Sequence, residues 1–384
     1  MLVPYPPLEA YRRDVARLGG TAFGPDDGRW IAAASLLQRY TESTGADRRE
    51  IGSRLAVHLA FETELTFCNA GLQLGREIEE AGALHLAMSW LTLLEQTVPG
   101  DRTLDLGRVR ASRGRVARRL GEPEASRALY AQVEQLGEAR AEPELTARAW
   151  IGYGVIALER GNHPEAHRWY EAAALVADDT GCRSESAQAH SGLMIVYAKA
   201  GDTERAIVEG WLAYRAGAAD DELSSELLSN LSQAIYDAGG FAAALRGFGA
   251  AVSRATQPRI LLGALGGAAL SAAALGQAAV VDAAAARIER LVRTAWSHPV
   301  SVAWLDLSDA FAMLGNSERS SVYRKRALDL AEANSHHEVA YRASEPPTVR
   351  PTTAQPATTF GTTAMQVIGQ LDSLDAPADL TLVG

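Results

Sequence analysis

Cysteine is nearly missing: Cys68 and Cys182 are the only two in 384 residues. They stand far apart in helical patterns, so no disulfide framework is expected, and two reduced structural thiols fit a reducing compartment. Lysine is as scarce, with Lys199 and Lys325 the only ones among 37 basic residues. The net charge of −10 and pI near 5.4 supply no overall basic field for phosphate, which excludes direct nucleic-acid binding as a whole-chain property and leaves room only for a local basic patch. The opening residues, MLVPYPPLEAYRRD, hold no apolar run of leader length, and no segment approaches eighteen uninterrupted apolar residues. A cytoplasmic protein with no membrane partner is expected. Catalytic signatures are missing too: there is no G-x-S-x-G, no P-loop and no G-x-G-x-x-G. His163 and His167 stand four apart, but HPEAH lacks the glutamate of a zinc-protease helix and has no third ligand nearby. The pairs Glu79-Glu80, Asp178-Asp179 and Asp220-Asp221 read as solvated charge near helix ends. No metal, no cofactor and no enzyme activity are expected.

What is present is alanine in quantity, with proline kept largely to the two ends and the turns, a composition for closely packed helices. The clearest stretch is ARAWIGYGVIALERGNHPEAHRWYEAAAL, Ala147 to Leu175. Trp150, Tyr153, Ile156 and Ala157 recur at helical spacing, Gly161-Asn162 breaks the pattern, and Ala166, Tyr170 and Ala173 begin a second stripe. Gly154 and Ala166 are expected where the two backbones come closest. The turn recurs at Gly82, Gly121, Gly161, Gly201, Gly239, Gly276 and Gly315, with spacings of 39, 40, 40, 38, 37 and 39 residues. Each glycine follows an apolar helix and precedes another stripe, such as Ala206/Ala213, Ala244/Phe248/Ala251 or Val322/Ala327. Pro123 and Pro164 stand at first helical positions beside acids that suit a positive helix end, and Asp202 does similar capping work.

This pattern resembles the tetratricopeptide repeat (TPR) family, in a bacterial long-unit form, over about two thirds of the chain. The resemblance implies an all-α, right-handed α-solenoid of about seven helix pairs. The expected organisation is an N-terminal arm and atypical capping pair over residues 1–66, the solenoid over 67–340, and a Pro/Thr-rich disordered linker with a short terminal helix over 341–384. The capping pair comprises helices at Arg29–Glu42 and Arg48 to about Thr66. Arg110 and Arg113 fall where apolar residues are expected, Gly263, Gly266 and Gly267 read as helix packing, and His336-His337 as the C-terminal cap of the last helix.

In the family, first helices line the concave face. Carried over, this places Arg115, Arg118 and Arg119 in a groove, followed by Glu159, Lys199, Gln233, Tyr236 and Asp237, and then by Ala273, Ala274, Ala312 and Met313. Such a groove suits a protein or peptide that is acidic at one end and apolar at the other, although a solvated arginine face accounts for the same arginines. The family's carboxylate clamp is not matched. The expected function is therefore a non-enzymatic binding scaffold, the alternative being a peptide-responsive regulator of a partner protein; oligomeric state is not legible. The terminal segment Thr363–Leu374, with Met365, Ile368, Leu371 and Leu374 three apart, is expected to dock as a helix near the last repeats.

Overall fold

The computed structural model describes residues 64–347 and 360–371, without 81, 83, 294, 296 and 335, and residue 374. The expected helix at Arg29–Glu42, and all but the end of the one from Arg48, lie outside them. Every regular element among the described residues is a helix. Seven successive pairs run α1 (Glu64–Glu80) with α2 (Leu84–Thr97), α3 (Thr103–Arg119) with α4 (Pro123–Arg140), α5 (Pro143–Glu159) with α6 (His163–Thr180), α7 (Arg183–Lys199) with α8 (Thr203–Gly217), α9 (Asp221–Asp237) with α10 (Phe241–Arg254), α11 (Pro258–Ala274) with α12 (Ala278–Leu291), and α13 (Ser297–Met313) with α14 (Ser317–Ala333). Two short helices follow, α15 (His337–Ser344) and α16 (Thr362–Leu371).

The pairing is written into the turns. All seven expected glycines close a first helix with φ between 72° and 86°, a conformation that costs a side-chain-bearing residue and suits glycine. At Gly161 the amide donates to Leu158 O at 3.0 Å and the next amide reaches back to Ala157 O at 2.9 Å, so the helix's last carbonyls are satisfied. Gly121 and Gly201 repeat the arrangement. The following helix is capped in turn: Asn162, Asp202 and Asn316 side chains accept from the amides of Glu165, Arg205 and Arg319 at 3.3, 3.1 and 3.1 Å.

The chain forms two compact units that divide within α5, at Ile156. In the first, Trp90 is fully buried, its indole N–H donating to Gly71 O at 2.8 Å. The Tyr130 ring lies between glycines of two first helices: a Cβ on Gly114 would stand 3.1 Å from it, and one on Gly152 would overlap it. Gly154 is buried as well, yet Gly152 is the glycine that Tyr130 covers. Arg110 and Arg113, out of pattern in the sequence, both bind Glu95 of α2, Arg110 Nε at 2.8 Å. Burial disfavours the charged Glu95, but the two guanidiniums outweigh it and hold its carboxyl below the ordinary carboxylate range.

The second unit repeats the aromatic-on-glycine contact, with Tyr170 over Gly192 and Phe248 over Gly267. Alanine permits the helices between to approach closely; Ala166, Ala173, Ala206, Ala213, Ala244 and Ala251 are all buried. Val322, expected inside, is 46% exposed, while its neighbour Tyr323 turns inward and stacks on Phe311 with ring centroids 5.6 Å apart. His336 and His337 open α15 rather than close the last paired helix, and α15 continues past residue 340. Helix α16 packs on α8 and α10, two second helices, and not near the last repeats. Its buried face is Ala364, Val367, Ile368 and Leu371, so Ile368 and Leu371 of the expected face are buried while Met365 stays 52% exposed and Ala364 faces inward in its place. Glu204 of α8 accepts the Thr363 amide at 3.2 Å, which caps α16 at its positive end.

Candidate partner-binding face

The residues expected to line a groove divide between the two units. In the first, Arg115, Arg118 and Arg119 stand on the last turns of α3. Glu79 of α1, only 3% exposed, takes the first and third: Arg115 Nε lies 2.8 Å from Glu79 Oε2, and Arg119 donates to both Oε1 and the backbone oxygen at 3.1 Å. Nearby, Arg108 grips Glu144 of α5 through two bonds at 2.6 and 2.8 Å, and Arg148 adds a third at 3.3 Å. Burial again opposes ionisation at Glu144 and the arginines prevail, keeping its carboxyl low. Arg108, Arg110, Arg113, Arg115 and Arg119 therefore tie first helices to neighbouring helices through buried or half-buried carboxylates. These donors are thus already paired within the fold.

In the second unit the first helices α7, α9, α11 and α13 lie side by side, each against the next. Glu159 closes α5 and Lys199 closes α7, both exposed. Gln233 and Asp237 are exposed on α9 and share a hydrogen bond of 3.2 Å. Tyr236 is not on this surface: it is 5% exposed and packs on Phe241, ring centroids 5.3 Å apart. The α11 and α13 positions Ala273 and Met313 are likewise buried. The open row is thus Ile195 and Lys199 on α7, Gln233 and Asp237 on α9, and Gly263 on α11. It is mixed and polar along α7 and α9, and Ala274 and Ala312 toward its far end are partly exposed.

No family model matches the chain, and no curated protein does. Among solved structures, the apo form of RapI is similar at 10% identity, covering 81% of this chain and 100% of that one, with a TM-score of 0.41. Aspartyl phosphate phosphatase F from Bacillus subtilis shares 11% identity over 80% of this chain and 72% of that one, TM-score 0.43. BtubC from P. vanneervenii shares 12% over 87% and 100%, TM-score 0.35. Likenesses this shallow bear on neither the activity nor the partners of this chain.

Two clusters were invisible in the sequence. His190 on α7 sits between Glu209 of α8, 2.6 Å from Nδ1, and Asp178 of α6, 3.2 Å from Nε2; Ser186 donates to the other Asp178 oxygen at 2.5 Å. Both partners are carboxylates, an arrangement that favours the doubly protonated ring. Burial works against that charge, but the two carboxylates outweigh it and raise the His190 pKa above its ordinary value. The second is Asp306 of α13, whose carboxylate lies on the bare backbone of Gly266. Burial pushes it up to about 7, with Asp309 adding to the rise and Arg342 opposing it. No spacing rule brings residues 178, 190 and 209, or 266 and 306, together; only the stacking of pairs does.

No group of three or more His, Cys, Asp or Glu among the described residues could hold a metal ion. His167, half of the His163/His167 pair, lies with Nε2 2.8 Å from the Tyr197 hydroxyl. Burial lifts the Cys68 thiol to about 11, away from a reactive thiolate. No described helix is long and apolar enough to cross a membrane.

Proposed function

We propose that the chain is a non-enzymatic scaffold that binds a protein or an extended peptide along its first helices. The observation that carries this reading is the row in the second unit, where three adjacent first helices leave Ile195, Lys199, Gln233, Asp237 and Gly263 open. A preformed helical surface loses little freedom on binding, so a modest set of contacts suffices. The arginines of α3 support the fold in this reading, which narrows the partner-contacting set from the sequence expectation to Glu159, Lys199, Gln233 and Asp237. The test is capture of a partner by the whole chain, identification of it, and remeasurement with Lys199→Glu and Asp237→Arg. Retained affinity in both variants at low salt sinks the reading.

A second reading, the peptide-responsive regulator similar to bacterial TPR regulators, is favoured by α16. This helix is held on α8 and α10 through one apolar face and a single capping carboxylate, so it is an element that a partner can displace. Ligand-dependent loss of α16 protection in hydrogen exchange separates the regulator from a passive scaffold.

A further inference from the structure

The residue after the turn glycine is polar in five of the seven pairs: Glu122, Asn162, Asp202, Gln277 and Asn316. Asn162, Asp202 and Asn316 use that side chain to cap the helix they open. The first pair has Ala83 there and the fifth has Gly240, so α10 starts with no side-chain cap. The ring of Phe360 comes up to this bare backbone beside Ile235, its Cζ 2.9 Å from where a Cβ on Gly240 would stand. A second bare backbone faces the other way. A Cβ on Gly361 would overlap the carboxylate of Glu204 in α8, which accepts the Thr363 amide at 3.2 Å. One glycine of the solenoid thus receives a side chain of the tail, and one glycine of the tail receives a side chain of the solenoid. Burial of an apolar helix face alone does not require that reciprocal fit.

Both contacts lie at the end of the open row. Gly240 is three residues beyond Asp237, and Glu204 is five beyond Lys199. The chain between is tied down: the Gly240 amide donates to Ile235 O at 2.9 Å and the Asp202 amide to Tyr197 O at 2.9 Å, folding each turn back onto its own first helix. A shift of either turn therefore carries the last residues of α9 or α7 with it. Helices α8 and α10 both pack on α9, and α16 adds a second bridge between them through Ala364, Val367, Ile368 and Leu371. In a repeat array each pair meets only its neighbours, so a brace across one junction fixes the geometry of that junction.

We propose that Phe360 to Leu371 is a releasable clasp that sets the spacing of the fourth and fifth pairs, and with it the shape of the row at Lys199, Gln233 and Asp237. The clasp gives the regulator reading its means and rests on that reading for its ligand. A ligand that needs a different spacing of α7 and α9 works against docking, and by linkage a released tail changes the affinity of the row by the same factor. Release is within reach because a ten-residue helix is marginal in water and depends on its packed face and its cap.

The test uses the whole chain with Cys182→Ser and nitroxides at Ala198→Cys on α7 and Asn230→Cys on α9, both exposed positions, while buried Cys68 is left in place. Pulsed electron resonance reads the interspin distance, and hydrogen exchange reads the docking of α16 in the same proteins. Val367→Asp with Leu371→Asp places two charges in the seat and leaves the solenoid sequence untouched. Loss of α16 protection together with a shifted or broadened interspin distance is the expected result, with a smaller change in both for Phe360→Ala. An unchanged distance once protection is lost, protection that survives the two aspartates, or a Phe360→Ala protein identical to wild type in both readouts overturns the clasp. The regulator reading fails separately: if the distance shifts on release but the captured partner leaves α16 protection unchanged, the clasp stands and the regulator reading falls.

Discussion

The ring of Tyr170 lies flat against the backbone of Gly192, so that a methyl group on that glycine would overlap three of its ring carbons. The same relationship joins Phe248 to Gly267 and Tyr130 to Gly152, each linking a second helix to the next first helix. Gly192→Ala should therefore force the buried ring out of its seat and cost about 1–3 kcal/mol. Gly263→Ala, which meets nothing, should be neutral or gain roughly 0.5–1 kcal/mol from helix propensity. Urea midpoints of the two variants check this. Equal midpoints would show that Tyr170 swings away without loss.

Glu79 lends itself to a prediction opposite to the one the sequence suggests. Read as groove residues, Arg115, Arg118 and Arg119 could be reversed to glutamate with the fold intact. With Glu79 3% exposed and dependent on Arg115 and Arg119, reversal should instead unfold the first unit, since leaving a buried charge without its donors costs about 3–5 kcal/mol. Circular dichroism melts decide it: Arg115→Glu with Arg119→Glu should lose its low-temperature transition. Adding Glu79→Gln should restore part of it.

The architecture was legible because turn glycines are chemically forced. A φ near 75° after a helix admits glycine far more readily than other residues, so seven such positions mark seven pairs with no structure in hand. Small-residue positions were legible only by class. Gly152 and Gly154 both suit a close contact, and which one meets Tyr130 depends on helix rotation that spacing alone leaves open by half a turn. The binding face was read least well because exposure of a polar residue depends on its neighbours: Arg115 is spent on a carboxylate 36 residues away, and Tyr236, polar enough for a rim, is core. Asp306 had no signature at all, since an aspartate in an apolar helix looks like any exposed acid until Gly266 is placed beside it.

Asp306 should give stability a pH dependence of known sign. Its folded pKa, about 7, lies above the unfolded value near 4, so the folded state binds the proton more tightly. Stability from this group is full below about pH 4 and declines as pH rises toward 7, where the carboxylate ionises beside Asp309 with only Arg342 opposing. Asp306→Asn should then raise the melting temperature at pH 8 and leave it unchanged at pH 4. A variant that melts lower than wild type at pH 8 would mean that the carboxylate is satisfied in solution.

His190 runs the same way, in a higher pH window. Its folded pKa is raised, so the contribution is fully present below the unfolded value near 6.5 and is lost as pH rises through the folded value. Glu209 and Asp178 face the ring from α8 and α6, with Ser186 fixing Asp178. His190→Gln should remove the fall in stability that begins above pH 6.5 and weaken the protein below it. Melting temperatures of both proteins from pH 5 to 9 check this, and parallel curves would show that the ring is neutral.

The terminal helix provides the last prediction. Helix α16 buries Ala364, Val367, Ile368 and Leu371 on α8 and α10, and ordering its ten residues costs conformational entropy of the same order as that burial returns. Docking is therefore marginal, sustained by tethering, and sensitive to its cap. Truncation before Phe360 should raise hydrogen exchange in α8 and α10 and leave α13 and α14 unchanged, because the helix does not sit on the last repeats. Gly361→Ala should do the same in part: its new methyl would collide with the Glu204 carboxylate and push it off the Thr363 amide. Glu204→Ala removes that cap directly, at a typical cost of about 0.5–2 kcal/mol. If both act through one contact, the double variant should be no worse than Glu204→Ala alone, whereas independent effects would add. Additive losses in α16 protection would mean that Gly361 matters for backbone freedom and not for the room it leaves to Glu204.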